Sequence, residues 1–217
     1  MHTAFIRRRL TVLCVMSAAL LGLAGCSLLP APQTDPTRYY VLTGGTLGEA
    51  RPEKATGALV LGLKRVEIVP YLNGKDMVVR ERGNEIAYQS FSRWAEPLNV
   101  SINRTLIGRL SSSETVSRVY TQGFPFDVER DYDVAVRVLR CEGERKDSGN
   151  YIASFSAVLE VTEAKAGGSV VLRKVFTAPA TDWDGKDYGQ LAAALSDAVG
   201  ALAAEVVAAL PPAVPAK

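Results

Sequence analysis

A chain of 217 residues with 22% charged residues and a formal net charge of +2 can bury one full core. It lacks the basic surplus of a nucleic-acid binder. The single histidine is His2, so a domain that begins further on has no Ser–His or Cys–His catalysis, no His-ligated zinc and no imidazole base.

In chain order the first segment is a leader. Arg7, Arg8 and Arg9 precede fourteen uncharged residues, Leu10 to Leu23. That length suits a signal peptide and falls short of the roughly 18 apolar residues a membrane span needs. Leu23-Ala24-Gly25-Cys26 resembles the bacterial lipobox, in which the chain is cut between Gly25 and Cys26 and the cysteine carries a diacylglycerol. Two or more acyl chains, palmitate among them, hold a protein stably on a membrane. Cys26 is therefore read as an anchor. Ser27 follows it where Asp would mark retention at the inner membrane, which implies the outer membrane, periplasmic face. Ser27 to Thr37 holds three prolines in eleven residues and reads as an extended tether of roughly 35 Å reach. The expected organisation is a signal peptide over 1–25, lipidated Cys26 and tether over 26–37, one domain over 38–210 and a disordered tail over 211–217.

Loss of 25 residues leaves 192 and removes three arginines and no acid, so the mature charge becomes −1. Cys14 and His2 leave with the leader. Cys141 alone remains in the domain and reads as a small apolar strand residue, with no disulfide partner.

Arg38 to Thr43 reads as a short strand and Ala58 to Val69 as a second, its apolar residues without strict alternation, as if both faces were covered. Asp76 to Tyr88 reads as a hairpin. A two-residue Gly83-Asn84 loop would pair Arg82 with Glu85 and Val79 with Tyr88, and would gather Met77, Val79, Ile86 and Tyr88 on one face. A helix follows near Pro97, with Leu98, Ile102, Leu106 and Leu110 at helical spacing. A short strand is expected at Val116 to Thr121. A three-strand meander comes next, with alternation through Val134, Val136 and Val138, then Tyr151 to Val161, then Val170 to Thr177. The last element runs from Tyr188, capped by Asp187, with Leu191, Leu195, Val199, Leu202, Val206 and Leu210 on one stripe. The fold class is α+β: a mostly antiparallel β-sheet with two amphipathic helices packed on one face.

The order of these pieces, with Tyr39-Tyr40, Pro70-Tyr71-Leu72 and Trp94-Ala95-Glu96-Pro97-Leu98, resembles the ABC-type transport auxiliary lipoproteins, the PqiC-like or YmbA-like outer-membrane family also termed DUF330. Cys141 departs from the pattern, since relatives often carry an aromatic there. The resemblance implies a non-catalytic adaptor that docks an MCE-domain protein and its inner-membrane transport components against the outer membrane during intermembrane phospholipid transport. A homo-oligomer would match a multimeric partner by symmetry. Two other roles compete, a periplasmic lipid-binding chaperone and a structural lipoprotein of an envelope assembly or secretion machine.

Tyr71, Leu72 and Trp94 are the candidate partner contacts, because aromatics anchor interfaces; core packing competes, and is favoured for Trp94. The acids of Asp127 to Asp133 lack the spacing and glycine of a calcium loop. Asn99 and Asn103 sit in chance glycosylation sequons. No G-x-S-x-G, S-x-x-K or phosphate-loop pattern is present. No catalytic residue, cofactor, metal or nucleic acid is expected, and the covalent lipid on Cys26 is the only attached group.

Overall fold

The computed structural model describes residues 34–44, 59–124, 128–165 and 167–211. The leader, Cys26, most of the tether and the last six residues lie outside them. The chain divides into a unit up to Pro36 and a unit from Thr37 onward. Among its described residues the second unit holds ten strands and two helices. These are β1 (Arg38–Tyr40), β2 (Leu59–Leu63), β3 (Glu67–Ile68), β4 (Asp76–Arg80), β5 (Ile86–Trp94), α1 (Leu98–Ser111), β6 (Val116–Thr121), β7 (Tyr132–Arg145), β8 (Tyr151–Glu163), β9 (Val170–Thr177), β10 (Thr181–Trp183) and α2 (Tyr188–Ala209).

Strands β7 and β8 form the spine of one sheet, antiparallel from Tyr132↔Glu163 to Arg145↔Tyr151. On the far side of β8, β9 covers Ser156 to Thr162 and β10 covers Tyr151 to Ala153. On the far side of β7 come β2, β3 and β4 in turn, all parallel to it. Beyond β2 lies β6, in parallel. Beyond β4 lie antiparallel β5 and then β1, parallel to β5. The longest ladders are antiparallel, as expected, and the parallel joints are an addition. The expected strand from Ala58 to Val69 is two short strands laid end to end along β7.

Alternation along the spine sorts the two faces. Val134, Val136, Val138, Phe155, Ala157, Leu159 and Val161 are buried beneath the helices. Leu98, Ile102, Leu106 and Leu110 of α1 and Leu191, Leu195, Val199, Leu202 and Val206 of α2 meet them, each at most 1% exposed. Helix α2 is long and apolar enough to cross a membrane by length and composition, yet half of that stretch is buried in this domain. Asp187 caps it, its Oδ1 accepting from the N–H groups of Gly189 and Gln190. That satisfies two otherwise orphaned donors.

The chain after β1 is held between the helices. Leu42 is fully buried. Its N–H donates to Ser101 Oγ of α1 at 3.2 Å and the next N–H, of Thr43, donates to Ser196 Oγ of α2 at 2.9 Å. The segment joining the tether to the domain is thus part of the helix–helix contact.

The hairpin differs from expectation by one residue. Arg80 pairs with Ile86, Val79 with Ala87 and Val78 with Tyr88. The turn closes between the Glu85 N–H and the Arg82 carbonyl, and the ladder resumes between Glu81 and Glu85, so Arg82 is left over. Gly83, at φ 66°, adopts the left-handed backbone that the turn demands. A slip of one flips every side chain to the other face. Met77 and Val79 therefore face the helices, while Val78, Arg80, Ile86 and Tyr88 share the opposite side. Glu81 pairs with Arg145 at 3.6 Å.

Candidate interaction site around Tyr71

The helix-free face of β4, β5 and β7 carries a polar cluster built from three separate segments. Val69 ends the β3 region in extended backbone, and Pro70 then opens a single 3-10 turn, Pro70–Leu72, whose fixed φ suits that start. The turn drives Leu72 into the core, 2% exposed, and lays Tyr71 across the outer side of β7.

Strand β7 receives it at a bulge. Its register slips between Val138 and Arg140. A bulge leaves one residue unpaired and re-aims the strand. After the slip Cys141 faces the core opposite Phe155, and Glu142 faces outward opposite Ser154. Glu142 is nevertheless only 1% exposed, because Tyr71 and Arg80 cover it.

A buried carboxylate must be paired and hydrogen-bonded. Arg80 Nε donates to Glu142 Oε1 at 2.7 Å. The Tyr71 hydroxyl donates to Glu142 Oε2 at 2.7 Å and lies 3.1 Å from the Leu139 carbonyl oxygen at the bulge. Arg80 Nη2 donates to Tyr71 Oη at 3.3 Å. Tyr88 closes the cluster, its hydroxyl donating to the Tyr71 carbonyl at 3.3 Å. Burial pushes the Tyr71 phenol well above its ordinary value, and the Glu142 carboxylate adds to the rise. Arg80 is also raised: burial, the largest single influence, opposes its charge, but the bond to Glu142 and that carboxylate's charge outweigh it. The four side chains form one hydrogen-bonded lock around the Arg80–Glu142 ion pair.

The three sequence candidates thus fare differently. Trp94 is 3% exposed and Leu72 2%, so both side chains are core and out of a partner's reach. Tyr71 is half-buried, with its hydroxyl committed to Glu142. Sequence reasoning missed Arg80, Glu142 and Tyr88. Glu142 lies three residues past Leu139, at a bulge that no local signal marks, and the one-residue slip moves Tyr88 to the face opposite the expected one.

Around the lock lies an exposed aromatic surface. Tyr39, Tyr88 and Phe91 are 60%, 51% and 61% exposed. Tyr39 sits opposite Arg93 in the β1–β5 pairing, while its neighbour Tyr40 sits opposite the buried Trp94. Phe91 lies in the stretch of β5 where the register with β4 breaks between Gln89 and Arg93. Elsewhere, a cleft of about 630 Å³ open to solvent runs between α1 and β6, lined in part by Arg65, Asn103, Arg104 and Ile107. Among the described residues no group of three or more His, Cys, Asp or Glu could hold a metal ion.

The model of one protein family, the ABC-type transport auxiliary lipoprotein component, matches residues 40–207. The chain belongs to this family. The match spans the domain from β1 almost to the end of α2. Protein XCC0632 from Xanthomonas campestris, assigned to DUF330, is similar in structure at 19% identity and TM-score 0.63, covering 78% of this chain and 92% of its own. An uncharacterized protein of solved structure is similar at 17% identity and TM-score 0.60, covering 79% and 97%. At these identities the likeness concerns the fold. No curated protein matches the sequence.

Proposed function

We propose that this auxiliary lipoprotein is the non-catalytic, outer-membrane-anchored adaptor of an MCE-type intermembrane phospholipid transport system. It would stand in the periplasm on the acylated Cys26 and dock the MCE-domain protein, which in turn joins the inner-membrane transport components. The observation that carries the reading is the extent of the family match, which takes in nearly the whole of the unit that begins at Thr37. An auxiliary transport component has partners and works by contact rather than turnover.

The interior supports docking over carriage of a lipid. Between sheet and helices the space is filled by Phe155, Leu159, Leu191 and Leu195, each at most 2% exposed, with other buried side chains around them. The cleft at α1, walled by Pro97, Val100 and Ile107 as well as Asn103 and Arg104, opens to solvent, whereas a site for an acyl chain encloses most of its ligand.

The test is purification of the Cys26→Ala protein, solvent extraction of bound lipid and a binding assay with the MCE protein. An adaptor comes out empty and binds. Lipid recovered at one mole per mole, without MCE binding, would establish the chaperone role instead.

A further inference from the structure

We propose that the aromatic patch of Tyr39, Tyr88 and Phe91 is a membrane-facing surface, seated in the headgroup layer of the bilayer that holds Cys26. The proposal rests on the reading of Cys26 as the lipid anchor.

Three observations converge on it. The first is position. Eleven residues separate Cys26 from Arg38, where β1 begins, and Tyr39 is the next residue. An extended chain of that length reaches roughly 35 Å. Tyr39 thus belongs to the first strand of the unit that follows the anchor segment.

The second is chemistry. Among the described residues, half of the large apolar side chains that stand exposed, Tyr39, Val41, Tyr88 and Phe91, belong to β1, β5 and the residue just past β1. Tyrosine favours the membrane–water boundary, with its ring among the upper acyl carbons and its hydroxyl among headgroups. A basic residue stands beside the rings: Arg93 sits opposite Tyr39 and is 39% exposed while paired with Asp76. Such a cation suits phosphate headgroups.

The third is rigidity. Tyr40 and Leu42, alternating with Tyr39 and Val41, are tied into the core and the helix pair. Tyr88 is tied to the Tyr71–Glu142 lock. The rings are presented by fixed backbone, so seating them on lipid would set the orientation of the whole domain. Its helix-bearing face and the edges β6 and β9 would remain free for protein partners.

The test uses the full-length lipoprotein reconstituted in phosphatidylethanolamine–phosphatidylglycerol vesicles, with and without brominated acyl chains. Phe91→Trp and Tyr39→Trp are read by fluorescence, with Val175→Trp on β9 as the remote control and the emission of the unsubstituted protein subtracted. The expected result is loss of about half the emission at positions 39 and 91 in brominated vesicles, with position 175 unchanged. Equal quenching at 91 and 175, or none at either, overturns the proposal. Intact mass and vesicle flotation are measured on the same samples. Acylated, floating protein whose Trp at position 91 is unquenched refutes the membrane face and leaves the anchor standing. Protein that is unacylated and does not float removes the anchor, and the proposal falls with it.

Discussion

Arg80 and Glu142 meet at 2.7 Å on the helix-free face of the sheet, and the glutamate side chain has no solvent exposure. Between them and Tyr71 they pin the turn after β3, the end of β4 and the bulge of β7. Removing one partner leaves a charge stranded in the protein, at a cost of about 3–5 kcal/mol. Arg80→Met should lower stability by that amount in urea unfolding. Tyr71→Phe, which deletes the short bond to Glu142 and the longer one from Arg80, should cost about 1.5–3 kcal/mol. In a double-mutant cycle the Arg80→Met and Glu142→Gln effects should fall well short of additive, because the second change relieves the stranded charge.

Gly143 marks the point where β7 passes beneath Trp183. A methyl group there would lie 2.6 Å from the indole Cζ3 and 3.4 Å from Leu191 Cδ2. Trp183 cannot retreat, because its Nε1–H donates to the Asp187 carbonyl at 2.6 Å and its ring meets Tyr151 and Tyr188 edge-on. Gly143→Ala should destabilise by about 1–3 kcal/mol, and near-ultraviolet circular dichroism should register the displaced indole.

Cys141 is 1% exposed on the core side of the same strand. Burial raises its thiol far above the ordinary range, and the neighbouring Glu142 charge adds to that. Thiolate is the reactive form, so iodoacetamide should leave the Cys141 peptide unmodified in the folded protein and label it fully in denaturant, as read by mass spectrometry.

Stability should also fall at high pH through Tyr188. Its phenol is pushed up to about 12, first by burial and then by Tyr151, Glu81 and Tyr40. The folded state thus prefers the neutral phenol. That contribution is complete below about pH 10 and is lost as the pH rises towards 12. Tyr188→Phe should flatten the alkaline limb of a stability–pH curve and leave the neutral region's slope unchanged.

Much of this architecture is legible in sequence because single elements announce themselves. The α2 stripe from Leu191 to Leu210 and the alternation of Val134, Val136 and Val138 each bury one face, and burial enforces periodicity. Short pieces carry no period, so nothing in the sequence marks β10 or separates β2 from β3. The hairpin register turned on a single residue, Arg82. The lock was invisible for a related reason: Tyr71, Arg80 and Glu142 are brought together by a parallel pairing of β4 with β7 and by a bulge, and neither has a local signature. Trp94 can be weighed between core and contact in sequence, and its burial opposite Tyr40 decides for the core.

The adaptor account is tested most directly by capture in living cells. Tagged full-length lipoprotein, crosslinked, purified and identified by mass spectrometry beside its Cys26→Ala variant, should bring down an MCE-domain protein, and less of it when the anchor cysteine is gone. Recovery of only envelope-assembly or secretion proteins, or no difference between the two forms, would contradict the account.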